Sequence, residues 1–298
     1  MTTSRRDFLK KSALALAGTS LLSYELFAAK EKKVLGLQLY SVRNEMKADP
    51  LGTLKQLAEI GYVNVEHASY ADRKFYGYTV TELKKILDDL GLKMTSGHTT
   101  LAKRHWDETK NDFTDAWKLT VDDAATLGQQ FVISPSMTAN QFDTYDTLLK
   151  QMEIFNKSGE LCKKAGMKFG YHNHDFEFVK KFNDMVMYDI MLKNTDASLV
   201  TQQLDMGNMY PVGIRAMDVI EKYPGRFQSM HVKDVIKAGD KFENTVLGSG
   251  VANVKEVIDF SSKKGGTFHF IIEQEEYQEK TPLQAMKADL AIMKKWKY

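Results

Sequence analysis

From Val34 onward the chain repeats one unit eight times: a short apolar run, then a longer stretch with apolar residues three and four positions apart. The first pattern suits a buried strand and the second an amphipathic helix. Strands are expected at Val34–Tyr40, Tyr62–Glu66, Leu92–Ser96, Phe131–Ile133, Lys168–His174, Val200–Leu204, Phe227–Val232 and Thr267–Ile272. Helices are expected at Leu51–Ile60, Thr81–Leu90, Phe113–Leu127, Tyr145–Ala165, Met185–Asn194, Ala216–Tyr223, Val254–Lys264 and Thr281–Trp296. Strict alternation of the two element types builds a parallel sheet, and eight such units close it into a barrel of about 250 residues. The expectation is an α/β fold, a (β/α)8 TIM barrel, as a single domain over residues 30–298.

Punctuation separates the two ends of that barrel. Glycine stands between helix and next strand at Gly61, Gly91, Gly128, Gly166 and the pair Gly265-Gly266, where a helix ends readily in the left-handed conformation. The longer polar stretches follow the strands instead, at Ala68–Tyr78, Thr99–Asp112, Phe176–Asp184 and Lys233–Gly250. Barrel active sites form from the loops after the strands, so function is expected there.

Four strands of the C-terminal half end on an acidic or imidazole side chain: His172, Asp205, His231 and Glu273. Each alone fits a structural role, as a helix cap, a buried histidine or a salt-bridged carboxylate. Together they hold the same place on successive strands and converge on one rim, which is what a divalent ion needs. In Tyr171-His-Asn-His-Asp-Phe-Glu-Phe178, alternation puts His172 and His174 on one face, with Asn173 toward the helices. One of the pair would ligate and the other act as base or substrate anchor.

Softer candidates surround this group. Glu66 ends the second strand and could bind substrate; His98 and Trp106 could line the pocket, the indole offering an apolar face; Asn208 follows Asp205 in the same segment. Lys233 could neutralise an enolate or anchor a hydroxyl, and Glu177, three residues past His174, could contact substrate. The backbone N–H groups of Leu247-Gly-Ser-Gly250 could receive a polar substrate group, though a plain loop is the simpler reading. Cys162 lies in an amphipathic helix pattern and reads as an inert packing residue.

The chain resembles the sugar phosphate isomerase/epimerase-like group of the xylose isomerase-type barrel superfamily. The resemblance rests on Gly36-Leu-Gln-Leu-Tyr-Ser-Val-Arg43, Asn64-Val-Glu-His67, the Tyr-His-Asn-His segment, Leu204-Asp-Met-Gly-Asn208, His231-Val-Lys-Asp234, Leu247-Gly-Ser-Gly250 and the final Ile272-Glu273, in that order. It implies one divalent metal, commonly manganese, cobalt, zinc or magnesium, at His172, Asp205, His231 and Glu273, and a carbohydrate substrate. Acid/base work would fall to His174 or Glu273. Two departures matter. Ketose epimerases of the superfamily carry glutamate where this chain has His172, which puts two-carboxylate epimerisation in doubt. The three-zinc site of related apurinic endonucleases needs further histidines, and Asn208 and Asp240-Lys-Phe-Glu-Asn-Thr245 supply none.

The expected chemistry is therefore proton abstraction next to the carbonyl of a keto-sugar, leading to isomerisation or epimerisation. Elimination from an oxidised sugar such as a 3-keto-glycoside is the alternative, and a non-catalytic carbohydrate-binding protein is the reading from another class. A net charge of +2 with no sustained basic stripe gives no reason to expect nucleic-acid binding. Ser4-Arg-Arg-Asp-Phe-Leu-Lys10, the apolar run from Ser12 to Leu22 and Phe27-Ala-Ala29 have the order of an export signal with twin arginines. Its apolar run falls short of the roughly 20 residues that span a bilayer, so a cleaved leader over residues 1–29 and a periplasmic enzyme without a stable membrane anchor are expected.

Overall fold

The computed structural model describes residues 32–298. The expected leader lies outside these residues. Eight parallel strands close a barrel: β1 (Val34–Gln38), β2 (Asn64–His67), β3 (Lys93–His98), β4 (Phe131–Ser134), β5 (Lys168–His172), β6 (Val200–Asp205), β7 (Ser229–Val232) and β8 (His269–Ile272). Each pairs with its sequence neighbours, and β1 pairs with β8 to complete the ring. The strand-to-strand crossovers contain the helices α1 (Pro50–Ile60), α2 (Val80–Leu90), α3 (Asp115–Leu127), α4 (Tyr145–Lys164), α5 (Met187–Asn194), α6 (Ala216–Lys222) and α7 (Val254–Phe260), while α8 (Pro282–Lys295) follows the last strand. Among the described residues no helix is long and apolar enough to cross a membrane.

Local chemistry explains the element ends. Thr79 and Thr281 cap α2 and α8, with Glu82 and Gln284 reaching back to the cap backbone. The helix-ending Gly61 and Gly91 sit at φ 103° and 69°, a region closed to most side chains, and turn the chain tightly into β2 and β3. At the opposite rim the polar loops are longer. Two-stranded hairpins stand there after β2 (Lys74–Phe75 with Tyr78–Thr79), β3 (Trp106–Asp107 with Asp112–Phe113), β5 (Lys181–Phe182 with Met185–Val186) and β7 (Asp234–Ala238 with Lys241–Thr245).

The apolar core lies between strands and helices, where Trp117, Phe155, Phe169, Tyr171, Tyr188 and Phe270 are buried. Cys162 is fully buried there, and burial pushes its thiol up to about 12, which leaves it unreactive. The barrel's interior is mixed instead, with Phe131, Ile133 and Ile271 beside a linked set of polar groups. His269 spans Thr95 Oγ1 (3.0 Å) and Ser229 Oγ (2.9 Å), and Ser229 accepts from Gln203 Nε2 (3.1 Å). Gln203 Nε2 also donates to Glu66 Oε2 (2.8 Å). Buried polar groups are tolerated where they satisfy one another, and a linked set of this kind has few alternative arrangements.

Candidate metal centre and active site

Strand pairing brings the four expected ligands together. Asp205 lies opposite His231 across β6 and β7, His172 opposite Gln203 across β5 and β6, and the Glu273 N–H donates to the Val232 carbonyl (3.2 Å). One ligand atom from each of His172, Asp205, His231 and Glu273 falls within 4.8 Å of the others, and all four residues are buried. His174 stands outside this set, with its ring 5.2 Å from that of His172. Of the two histidines, only His172 falls in a group that could hold a metal ion. The strand ends at His172 rather than His174, because Asn173 leaves the ladder and does not face the helices as expected. Its side chain accepts from the Asp205 N–H (2.9 Å) and donates to the Asp205 carbonyl (3.1 Å), clamping β5 to β6.

Hydrogen bonds set the imidazoles. Gln203 donates through Nε2, so its Oε1 is the acceptor facing His98 Nε2 (2.7 Å) and His172 Nδ1 (3.2 Å). A proton on His172 Nδ1 leaves its Nε2 lone pair directed at Asp205 Oδ2, 3.6 Å away. His231 lies between Glu66 Oε1 (2.6 Å from Nε2) and Glu273 Oε2 (2.8 Å from Nδ1). Burial alone would lower its pKa, but Glu273 and Glu66 outweigh burial and push it up to about 10. Burial would likewise raise Glu273, yet Lys233 and His231 hold it well below the usual carboxylate range. His172 is held well below its ordinary value by burial and then by His231 and His98.

The donor set fits a divalent ion. Two imidazoles and two carboxylates converge, and Asp205 Oδ2 is buried without a well-formed hydrogen bond, although the Lys233 ammonium is 3.0 Å away as an ion pair. A buried carboxylate oxygen in such a cluster is costly unless a cation satisfies it.

Above the ligands opens a cavity of about 480 Å³, lined in part by Tyr40, Tyr70, His98, His174, Lys233 and Glu275. His172, Asn208 and Glu273 also reach it. The sequence matches the model of the xylose isomerase-like TIM barrel family over residues 54–296. The chain belongs to the xylose isomerase-like TIM barrel family. Its closed eight-stranded barrel bears out the expected fold class. A solved sugar phosphate isomerase/epimerase from Parabacteroides distasonis superposes with a TM-score of 0.74 at 28% identity, covering 89% of this chain and 94% of that one. Among curated relatives, an inosose dehydratase of Clostridium perfringens is 35% identical over 85 residues, and the match spans 28% of each protein. The inosose dehydratase of Geobacillus thermodenitrificans is 23% identical over 253 residues, 75% of this chain and 81% of that protein.

Within this xylose isomerase-like barrel, several softer candidates are displaced from their expected roles. Glu66 is fully buried beneath the ligands and accepts from Gln38 Nε2 (2.7 Å) and Ser96 Oγ (2.5 Å) besides His231 and Gln203. Burial opposes its ionisation, but His98, His231 and these donors hold it well below the carboxylate range. It lies outside the lining of the cavity and hydrogen-bonds the His231 ring from below. Outer carboxylates of this kind alter metal affinity, so Glu66→Gln should weaken metal binding about 10- to 100-fold by calorimetry. An unchanged affinity would remove Glu66 from that role.

Trp106 is buried in edge contact with Phe113 and borders a separate cleft with Leu101, Lys150 and Gln151. The aromatic faces at the cavity are Tyr40 and Tyr70. Glu177 also turns away from the cavity: it is fully buried, accepting from the Tyr171 hydroxyl (2.5 Å) and the His174 N–H (2.9 Å), and burial pushes its pKa up to about 7. It holds the His174 backbone in place. The N–H groups expected to meet substrate in the glycine loop are spent internally, those of Gly248 (2.8 Å), Gly250 (3.0 Å) and Ala252 (3.2 Å) on Asp234, and that of Leu247 (2.8 Å) on Asp289.

Sequence reasoning missed Gln203, Ser229 and Gln38, the polar layer under the ligands. The period of two was the available clue, since Gln203 and Ser229 each precede a ligand by two residues and so share its face.

Proposed function

We propose that this chain is a divalent-metal-dependent lyase acting on an oxidised sugar or related cyclic ketone, by proton abstraction next to the carbonyl and loss of the β-substituent. The observation that carries the reading is how the bases at the cavity are committed. Glu273 is tied to His231 (2.8 Å) and Lys233 (2.7 Å), and both carboxylates lining the cavity, Glu273 and Glu275, come from the end of β8. Inversion by two carboxylates calls for one on each face of the substrate. Here the base free of such ties is His174, whose Nδ1 is buried without a partner. Burial lowers its pKa, so the ring is neutral and able to accept a proton near pH 7.

An ion held by His172, Asp205, His231 and Glu273 would polarise the substrate carbonyl as a Lewis acid, and this donor set suits manganese, cobalt or zinc better than magnesium. His174 takes the proton from the adjacent carbon, and that electron pair moves toward the carbonyl oxygen. As the pair returns, the bond from the β-carbon to its oxygen substituent breaks. The imidazolium hands its proton to the departing oxygen, releasing water or an alcohol and leaving an unsaturated ketone. Lys233, which lines the cavity, adds positive charge where the substrate gains negative charge. The dehydratase names of the curated relatives support elimination, and the name of the Parabacteroides relative supports the isomerase or epimerase outcome of the same first step.

Incubation of the metal-loaded protein with 3-keto-glycosides and keto-cyclitols in deuterated water, followed by NMR, tests this. The expected result is an unsaturated ketone with a released alcohol or water. Deuterium uptake with the substituent retained would replace elimination by isomerisation or epimerisation; binding without exchange would leave a carbohydrate-binding protein.

For location we propose export to the periplasm, supported by the paired arginines and the short apolar run after them. Replacing Arg5 and Arg6 with lysine should leave precursor in the cytoplasm; unaltered delivery would argue against the twin-arginine route.

A further inference from the structure

Lys233 lies within the candidate ligand cluster. Its side chain is 2% exposed, and its ammonium lies 3.0 Å from Asp205 Oδ2 and 2.7 Å from Glu273 Oε2, both oxygens of the ligand set. The third contact is different in kind: Glu275 Oε1, at 2.9 Å, belongs to a carboxylate outside that set whose side chain is 34% exposed. The chain is shaped to receive this lysine. At Gly207 a Cβ would stand 2.6 Å from Lys233 Cβ and 2.9 Å from its Cδ, so any other residue there would push the lysine stem aside. Glu275 is itself fixed, its N–H donating to Asn244 Oδ1 (3.0 Å) and its carbonyl accepting from Arg43 (3.3 Å).

Two buried carboxylates within 4.8 Å of each other repel strongly unless a cation lies between them. Lys233 supplies one positive charge to the same oxygens that a divalent ion would take. Both cations cannot hold these oxygens at full strength, because like charges at such spacing repel in a poorly solvated site. Glu275 gives the ammonium a partner that the ion does not need.

We propose that Lys233 is an internal counter-ion for the metal ligands: its ammonium holds Asp205 and Glu273 together in the metal-free protein, and metal entry leaves it paired with Glu275 alone. The inference rests on the metal reading but not on which reaction follows. Lys233 thereby makes the ligand cluster stable without metal and sets a lower affinity for the ion than the four ligands alone would have.

The full-length protein, treated with chelator and titrated with manganese or zinc by calorimetry, tests this through two variants of opposite sign. Lys233→Met keeps the apolar stem against Gly207 and removes the charge, so it should bind the metal about tenfold tighter or more. Glu275→Gln removes the alternative partner and should bind it several-fold more weakly. Thermal unfolding gives a second readout: Lys233→Met should melt lower than the parent in chelator and gain more from added metal. Should Lys233→Met fold only when metal is present, the counter-ion role is supported in its strongest form. Affinity equal to or weaker than the parent in Lys233→Met, or an unchanged or tighter affinity in Glu275→Gln, overturns the proposal. Absence of metal binding by the parent itself would overturn the metal reading beneath it.

Discussion

Asp205→Ala and Glu273→Ala should each leave a protein without stoichiometric metal and with activity reduced on the order of a thousandfold. Asp205 offers the one ligand oxygen with no well-formed hydrogen bond, and Glu273 shares its Oε2 between His231 and Lys233. Removing either carboxylate subtracts both a donor and a negative charge from a buried cluster that also contains Lys233 and His231. The loss is therefore electrostatic as well as geometric, and the remaining ligands cannot rearrange, since each projects from a different strand. Elemental analysis of the purified variants together with turnover measures it. Full metal occupancy in both would sink the ligand assignment.

The paired histidines at the end of β5 should separate by readout. His172→Ala is expected to lose metal, because its Nε2 lone pair points into the cluster while Nδ1 is held by Gln203. His174→Ala is expected to retain metal and lose turnover by about 10²- to 10⁴-fold, the scale of a general base. Its ring lines the cavity but contributes no atom to the ligand group, and Glu177 fixes its backbone from behind. The reverse pattern would exchange their roles. Two variants with intact metal and full activity would end the proposed mechanism.

Where each candidate settled follows from how local its determinants are. Barrel strands, their order and the four ligands at their ends were legible because strand periodicity, helix periodicity and helix-ending glycines act within a few residues. The expected end of β5 overshoots by two residues, and there the side chain of Asn173, just past the strand, takes over pairing with the backbone of β6. Nothing local marks that exchange.

Long-range choices were invisible for a related reason. Glu66 and His231 meet across 165 residues of sequence, so alternation could place each on an inward face but not say that one lies beneath the other. Trp106 and Tyr40 present similar aromatic surface in sequence, and only the hairpin after β3 decides that the indole packs on Phe113 while Tyr40 reaches the cavity. The glycine loop after β7 shows the same limit. Its backbone N–H groups could have received a polar substrate group, with a plain loop the simpler reading, and the Asp234 side chain takes them instead. The sequence by itself determined the repeating unit, the barrel and the residues able to hold an ion, because these depend on period and strand end. The tertiary structure alone decided which polar groups face the cavity and which support it from below, because that depends on the depth each side chain reaches in a ring closed by eight separate strands.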